Sequence, residues 1–246
     1  MEIRFDGRVV VVTGAGHGLG RAIGERFAGL GARVFGCSPY DVDVPGVAMT
    51  RVDLADRAAA AGWIAGLGVD VDVLVNNSGG VAGRVHEPIE AVEDASWDAI
   101  MAANIGAAFA VTRAVVPGMK RVGMKRGGGG RIVTISSGAG LQASLTGIQA
   151  YCSAKHAVVG FTRQMAHELG PFGITVNSVA PGLIVSNRDT EAQWARYGAA
   201  GQAAAVERIA LRRLGTAGDI ADAVVFFASP LAGFVNGQVL SVDGGR

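Results

Sequence analysis

Cysteine, aromatic residues and charge are all scarce in this chain. Only 2 of its 246 residues are cysteines, Cys37 and Cys152, and they form neither a Cys-x-x-Cys pair nor a metal-ligand spacing. That excludes a disulfide framework and a cysteine-based metal site, and both read as reduced thiols used for packing. Aromatics make up 6% and charged residues 17%, with 22 basic against 21 acidic side chains. No block of one sign is long enough to follow a phosphate backbone, so a nucleic-acid partner is not expected. His17, His86, His156 and His167 follow no metal-ligand pattern either, and surface or helix-face positions are their expected use. Glu2, Arg4 and Asp6 stand where a secretory leader would be basic and then apolar. No apolar run reads as long enough to span a bilayer, and the cytoplasm is the expected compartment.

What the chain has is apolar residues, at 50%, and 38 glycines. That is enough to bury a large core in one α/β domain covering residues 1–246, with no internal repeat and no linker. Short β-branched runs at Arg8 to Val12, Arg33 to Gly36, Gly46 to Val52, Val71 to Val75, Arg131 to Ile135, Ile174 to Val179 and Gln238 to Val242 read as strands. Several are almost continuously apolar, as strands are when helices cover both faces of a parallel sheet. Helix-spaced apolar residues mark Gly18 to Leu30, Trp97 to Val116, Ala150 to Gly170 and Gly218 to Ser229. The alternation predicts a doubly wound, mainly parallel seven-stranded Rossmann sheet flanked by helices. Gly127 to Gly130 reads as a turn into the fifth strand.

Directly after the first strand comes Thr13-Gly14-Ala15-Gly16-His17-Gly18-Leu19-Gly20, opening the first helix. Without Cβ atoms such a loop lets backbone N–H groups and the positive end of a helix approach a pyrophosphate. Glycines alone would be weak evidence in a chain this rich in them, but the position between strand and helix supports a dinucleotide site. Further on, Tyr151-Cys152-Ser153-Ala154-Lys155 sets a phenol and an ammonium on one helix face. The cation is expected to lower the phenol's pKa and make Tyr151 usable as an acid or a base. Taken alone the pair is ordinary helix-surface chemistry. It gains weight from Ser137, beyond the strand Arg131-Ile132-Val133-Thr134-Ile135, where a hydroxyl opens into the ligand crevice of a parallel sheet.

In the spacing T-G-x-x-x-G-x-G and in Y-x-x-x-K, the chain resembles the short-chain dehydrogenase/reductase family from about residue 5 to the end. The resemblance implies an NAD(P)-dependent oxidoreductase that moves a hydride between nicotinamide and an alcohol or carbonyl carbon. It implies catalytic roles for Asn104, Ser137, Tyr151 and Lys155, with Lys155 also holding the nicotinamide ribose. Ser137 precedes Tyr151 by one residue more than the family's usual interval, where this chain has Gly138. An inserted residue between Leu141 and Gln149 accounts for that, with Ser136 as the fallback. Cofactor contacts are implied for Gly14, Gly16, His17, Gly18, Leu19, Gly20, Ser38, Asp53, Leu54, Asn77, Gly79, Tyr151, Lys155, Pro181, Gly182, Ile184 and Ser186. Asn76-Asn77-Ser78-Gly79 stands for the family's N-N-A-G segment, with Asn76 and Asn77 bracing the sheet.

The choice between NAD and NADP turns on the end of the second strand. Ser38 stands where NAD users place an acid, and His17 where NADP users often place arginine, so neither rule is met. Asp41 and Asp43 add negative charge that disfavours a 2′-phosphate, which tips the expectation to NAD. Residues 187–214, with Trp194, Tyr197 and several arginines, correspond to the family's mobile substrate lid, although aromatics at this spacing more often pack together. Gly80 to Pro88, including Arg84 and His86, and Ala143 to Gln149 are the expected remaining walls. Sugars, polyols, hydroxy acids, ketoacyl groups and cyclic alcohols all satisfy these motifs. The family also implies a homotetramer. Two other functions fit the fold: a non-catalytic dinucleotide sensor, against which the intact Ser137, Tyr151, Lys155 and Asn104 argue, and an epimerase or dehydratase, whose kind tends to run longer.

Overall fold

The fold was taken from a computed structural model, which describes residues 2–83, 85–126, 129–144 and 146–246. Gly127 and Gly128 of the expected glycine turn, and Arg84 and Leu145 of the expected substrate walls, lie outside the described residues.

Among the described residues, seven strands, β1 (Val9–Val12), β2 (Arg33–Ser38), β3 (Val47–Arg51), β4 (Val73–Asn76), β5 (Arg131–Ile135), β6 (Thr175–Pro181) and β7 (Val239–Val242), form one sheet in the order β3-β2-β1-β4-β5-β6-β7. Every pairing is parallel. The four consecutive valines of β1 suit its place inside the sheet, because β-branched side chains pack well on a pleated surface buried on both faces.

Helices α1 (Gly18–Gly29), α2 (Arg57–Gly66), α3 (Asp94–Met101), α4 (Ala107–Arg126), α5 (Gln149–Leu169), α6 (Arg188–Arg196), α7 (Gly198–Glu207) and α8 (Ala217–Ala228) complete the chain. On one face α1 and α8 bury Ile23, Phe27, Ile220 and Val224 against the sheet, and Phe27 meets Phe5 edge to face at 4.9 Å. On the other, α2, α4 and α5 bury Trp63, Ile64, Val111, Val115, Met119 and Leu169. Each such side chain contributes roughly 1.5–3 kcal/mol by leaving water. Helix α2 escapes a reading by periodicity because Ala58-Ala59-Ala60-Ala61-Gly62 carries little contrast; its start is set by Asp56, whose carboxylate accepts the N–H groups of Ala58 and Ala59.

Within the continuous helix Asp94–Val122, one 18-residue stretch has a mean hydropathy of 1.7, long and apolar enough by composition to cross a membrane. Its apolar side is spent on the sheet through Val111, Val115 and Met119.

Strand order reverses between β1 and β4, and the crevice beyond their carboxyl ends is where an open α/β sheet takes its ligand. The loops after β1 to β6 all emerge on that side and carry most of the predicted site residues, with Asn104 on the turn before α4 and Tyr151 and Lys155 on α5.

Candidate active site

Two arms of backbone face each other across the crevice. Gly14 (φ 64°) and Gly18 (φ 54°) adopt the left-handed conformation that favours glycine. A Cβ at Gly18 would stand 3.2 Å from Ser186 Oγ, so the loop after β6 closes over the glycine loop. Helix α1 then begins at Gly18 with no side-chain cap from His17 and no acid in its first turn. Its first N–H groups and its positive end therefore remain available to an anion. This cradle fits the pyrophosphate of a dinucleotide.

Asn77 braces the loop, its Nδ2 donating to the carbonyls of Thr13 (3.0 Å) and Gly14 (3.2 Å). Thr13 returns the tie: its buried hydroxyl accepts the N–H groups of Asn77 and Ser78, both at 2.9 Å. Thr13 was not among the predicted site residues, although it opens the glycine motif. Asn76 Nδ2 donates to Thr112 Oγ1 at 2.9 Å, locking β4 to α4. Pro181 ends β6, Gly182 donates its N–H to the Val242 carbonyl at 3.0 Å, and buried Ile184 bridges to Gly215. Past β3, Leu54 is buried and Asp53 is exposed, its Oδ1 accepting the Ala55 N–H at 2.9 Å.

Ser137, Tyr151 and Lys155 also converge, and the turn that carries Asn104 packs on α5, the helix of Tyr151 and Lys155. Ser137 leaves β5 with its Oγ accepting the Ala139 N–H at 3.2 Å, and its hydroxyl lies close enough to the Tyr151 phenol to favour the phenolate. Ser136 points inward, fully buried, and donates to the Lys155 carbonyl at 3.2 Å. Of the adjacent pair, Ser137 is therefore the one beside the phenol. Lys155 is buried beneath, with Nζ donating to the Ile135 carbonyl at 2.9 Å and lying 5.5 Å from the Tyr151 ring centre.

The expected electrostatics of this group need correcting. Burial pushes the Tyr151 phenol above its ordinary value, and only the Ser137 hydrogen bond works against that. The Lys155 ammonium is itself so buried that its own pKa is pulled down to about 8. In the unliganded protein desolvation outweighs the attraction between the two charged forms.

Asn104 lies in a π-turn, Ala102–Gly106, between α3 and α4. Its Nδ2 donates to the carbonyls of Gly80 (3.0 Å) and Ile100 (2.8 Å), while its buried Oδ1 has no partner. A buried acceptor left open is costly unless a ligand or water meets it. Gly79 is required beside it: φ there is 138°, and a Cβ would collide with Asn104 Oδ1.

Across the mouth the two predicted wall loops are joined, with the His86 N–H on the Thr146 carbonyl at 2.7 Å and Gln149 Nε2 on the Glu87 carbonyl at 2.6 Å. Residues 187–214 form α6 and α7, and none of the residues in these two helices is buried. Trp194 and Tyr197 pack on each other at 5.7 Å.

The family model for enoyl-(acyl carrier protein) reductase matches residues 14–246. The chain belongs to the short-chain dehydrogenase/reductase family. Within it, the chain is 35% identical over 252 residues to the L-xylulose reductase of Bos taurus, covering 100% of this chain and 98% of the relative. It is 34% identical to the 3-oxoacyl-acyl-carrier-protein reductase of Escherichia coli (strain K12), covering 99% and 98%. Among solved structures, a protein from Agrobacterium tumefaciens assigned as a 2-deoxy-D-gluconate 3-dehydrogenase, with NADP bound, superposes with a TM-score of 0.86 at 34% identity, over 98% of this chain and 96% of that one. The aldohexose dehydrogenase of Thermoplasma acidophilum gives 0.88 at 29%, over 98% and 94%. This short-chain dehydrogenase/reductase is an NAD(P)-dependent oxidoreductase acting between an alcohol and a carbonyl.

Proposed function

We infer that Tyr151 is the acid/base of that reaction and that Ser137, Lys155 and Asn104 serve it. The observation that carries this reading is the contact between Ser137 and Tyr151 at the mouth of the crevice, with Lys155 buried directly behind. A bound nicotinamide supplies or accepts the hydride at the substrate carbon. With its pKa raised, Tyr151 is a neutral phenol at physiological pH, ready to give its proton to a carbonyl oxygen as that oxygen becomes an alkoxide. Ser137 Oγ donates a hydrogen bond to the same oxygen. Lys155, charged below about pH 8, stabilises the phenolate left behind, and Asn104 Oδ1 is placed to hold a water that refills the proton. In the oxidative direction the same atoms run the steps backwards.

The cofactor-binding roles fall to Gly14, Gly16, Gly18, Leu19 and Gly20 for the pyrophosphate, to Asp53, Leu54, Asn77 and Gly79 on the adenosine side, and to Pro181, Gly182, Ile184 and Ser186 for the carboxamide. The expectation of NAD rests on Ser38, Asp41 and Asp43; Asp41, however, is paired with Arg51 at 3.1 Å, which removes part of the repulsion. A chain with weak discrimination between the two dinucleotides fits that balance. Residues 1–246 act as one domain with α6 and α7 as a lid, in a reducing compartment that keeps Cys37 and Cys152 free. The substrate is a small alcohol or carbonyl compound of the sugar, polyol, hydroxy-acid, ketoacyl or cyclic-alcohol classes.

A panel of such alcohols and ketones, each with both cofactors and followed by nicotinamide absorbance, tests the reading. Turnover of at least one class is the expected result; tight dinucleotide binding without turnover of any would make this protein a sensor.

A further inference from the structure

The step from β2 to β3 departs from the rest of the sheet. Every other step between consecutive strands passes through at least one helix, but here residues 39–46 suffice, and the only regular feature among them is an isolated bridge between Val44 and Val47. Parallel neighbours are ordinarily joined by a longer crossover that includes a helix. Buried Val44 fills the inner part of the space such a helix would cover. The carboxyl end of β3 is left open, with Thr50 and Arg51 both exposed.

Register then decides what this opening presents. Ser38 and Arg51 are paired in the β2–β3 ladder, and paired residues on neighbouring strands project from the same face. On that face Ser38 Oγ lies against the glycine loop, only 2.9 Å from where a Cβ on Gly16 would be. Arg51 thus leaves the sheet one strand outward from Ser38 and on the side of the loop. Ser38 itself is uncharged and buried, its Oγ accepting the Tyr40 N–H at 3.1 Å. The side chain of Arg51 is 66% exposed, and its guanidinium meets Asp41, whose side chain is 81% exposed, at 3.1 Å.

We propose that Arg51 receives the 2′-phosphate of NADP, and that Asp41 is the counter-ion it leaves to do so. This rests on the dinucleotide reading above. An exposed pair of this kind holds its partners weakly, so exchanging a carboxylate for a phosphate dianion is easy. The phosphate offers more charge and a bidentate match to the planar guanidinium. With a ribose diol in place Arg51 stays on Asp41 and adds nothing. The device supplies a cation for the phosphate without an arginine at the end of β2 or in the glycine loop, the two positions where the family's pattern looks for one.

Fluorescence titration of NADPH and NADH into the wild type, Arg51→Gln, Arg51→Lys and Asp41→Asn reads the effect without turnover. Adenosine 2′,5′-bisphosphate serves as a competing probe. The ratio of NADPH to NADH affinity is expected to fall at least tenfold in Arg51→Gln, to recover in part in Arg51→Lys, and to rise in Asp41→Asn, where the counter-ion no longer competes. Competition by the bisphosphate should weaken in step with NADPH. A ratio unchanged in Arg51→Gln, or lowered equally by Arg51→Gln and Asp41→Asn, overturns the proposal. Failure of every protein, wild type included, to bind either dinucleotide would overturn the reading beneath it, and is told apart by being common to all four.

Discussion

Ser136 and Ser137 are neighbours in sequence but face opposite ways: one hydroxyl is fixed to the Lys155 carbonyl inside the protein, the other meets the phenol. Ser137→Ala should therefore lower kcat on the order of a hundredfold, as when a positioned donor to the reacting oxygen is lost. Ser136→Ala should leave kcat nearly intact and cost about 1 kcal/mol of stability through its buried hydrogen bond. Steady-state rates and denaturant unfolding of both variants check this, and the reverse ranking of rates would reassign the donor. Lys155 gives a second test at this scale. In the unfolded chain it holds its proton up to its ordinary 10.5, whereas in the native protein it does so only to about 8. Between those values the unfolded state binds more protons, so this group makes stability rise with pH across the window. Cys37, pushed up to about 12 by burial, works the other way above its ordinary 9.0, as does Tyr151 above 10.0. The difference between wild type and Lys155→Met isolates the lysine: relative to the variant, the unliganded wild type should gain up to roughly 3 kcal/mol as pH rises from about 8 to 10.5. A difference independent of pH, measured by denaturant unfolding, would show that the ammonium is not desolvated. Ser137, Tyr151, Lys155 and Asn104 were legible because motif and spacing place them. Arg51 was not, because its position beside Ser38 arises from strand register, which a linear pattern does not show.

At the scale of elements, the π-turn and the loop after β4 are fitted to each other. Gly79→Ala would bring a Cβ into Asn104 Oδ1 at a backbone angle that L-residues rarely adopt. A loss of about 1–3 kcal/mol of stability is expected, together with a fall in kcat as Asn104 is displaced. Thermal unfolding as high as that of the wild type would mean the two groups are not in contact. The seven strands and helices α1, α5 and α8 were legible within a residue or two, since β-branched runs and apolar spacing mark them. The start of α3, the part of α4 from Pro117 to Arg126 beyond the expected end at Val116, all of α2 and the lid helices were not. Their alanine-rich or polar surfaces give no periodic contrast, and caps such as Asp56 and the reciprocal Asn187 and Thr190 pair hold their first turns instead. The helix-free step between β2 and β3 is equally silent in a linear reading.

At the scale of the whole molecule, the end of α8, the segment that follows it and the edge strand β7 carry exposed Phe226, Leu231, Phe234 and Leu240. Apolar side chains left in water along one edge suit the subunit contacts expected of a homotetramer. Light scattering should show an assembly larger than the 25.0 kDa chain, and Phe234→Asp should weaken it; a stable wild-type monomer at micromolar concentration would contradict this. The account as a whole holds that the crevice binds a dinucleotide through its backbone arms while one phenol moves the proton. Its most direct test is Tyr151→Phe, measured for turnover on a substrate the wild type accepts and, separately, for dinucleotide affinity. The predicted result is a loss of kcat of about a thousandfold or more with affinity changed by no more than a few-fold. A variant that keeps most of its kcat would contradict the account.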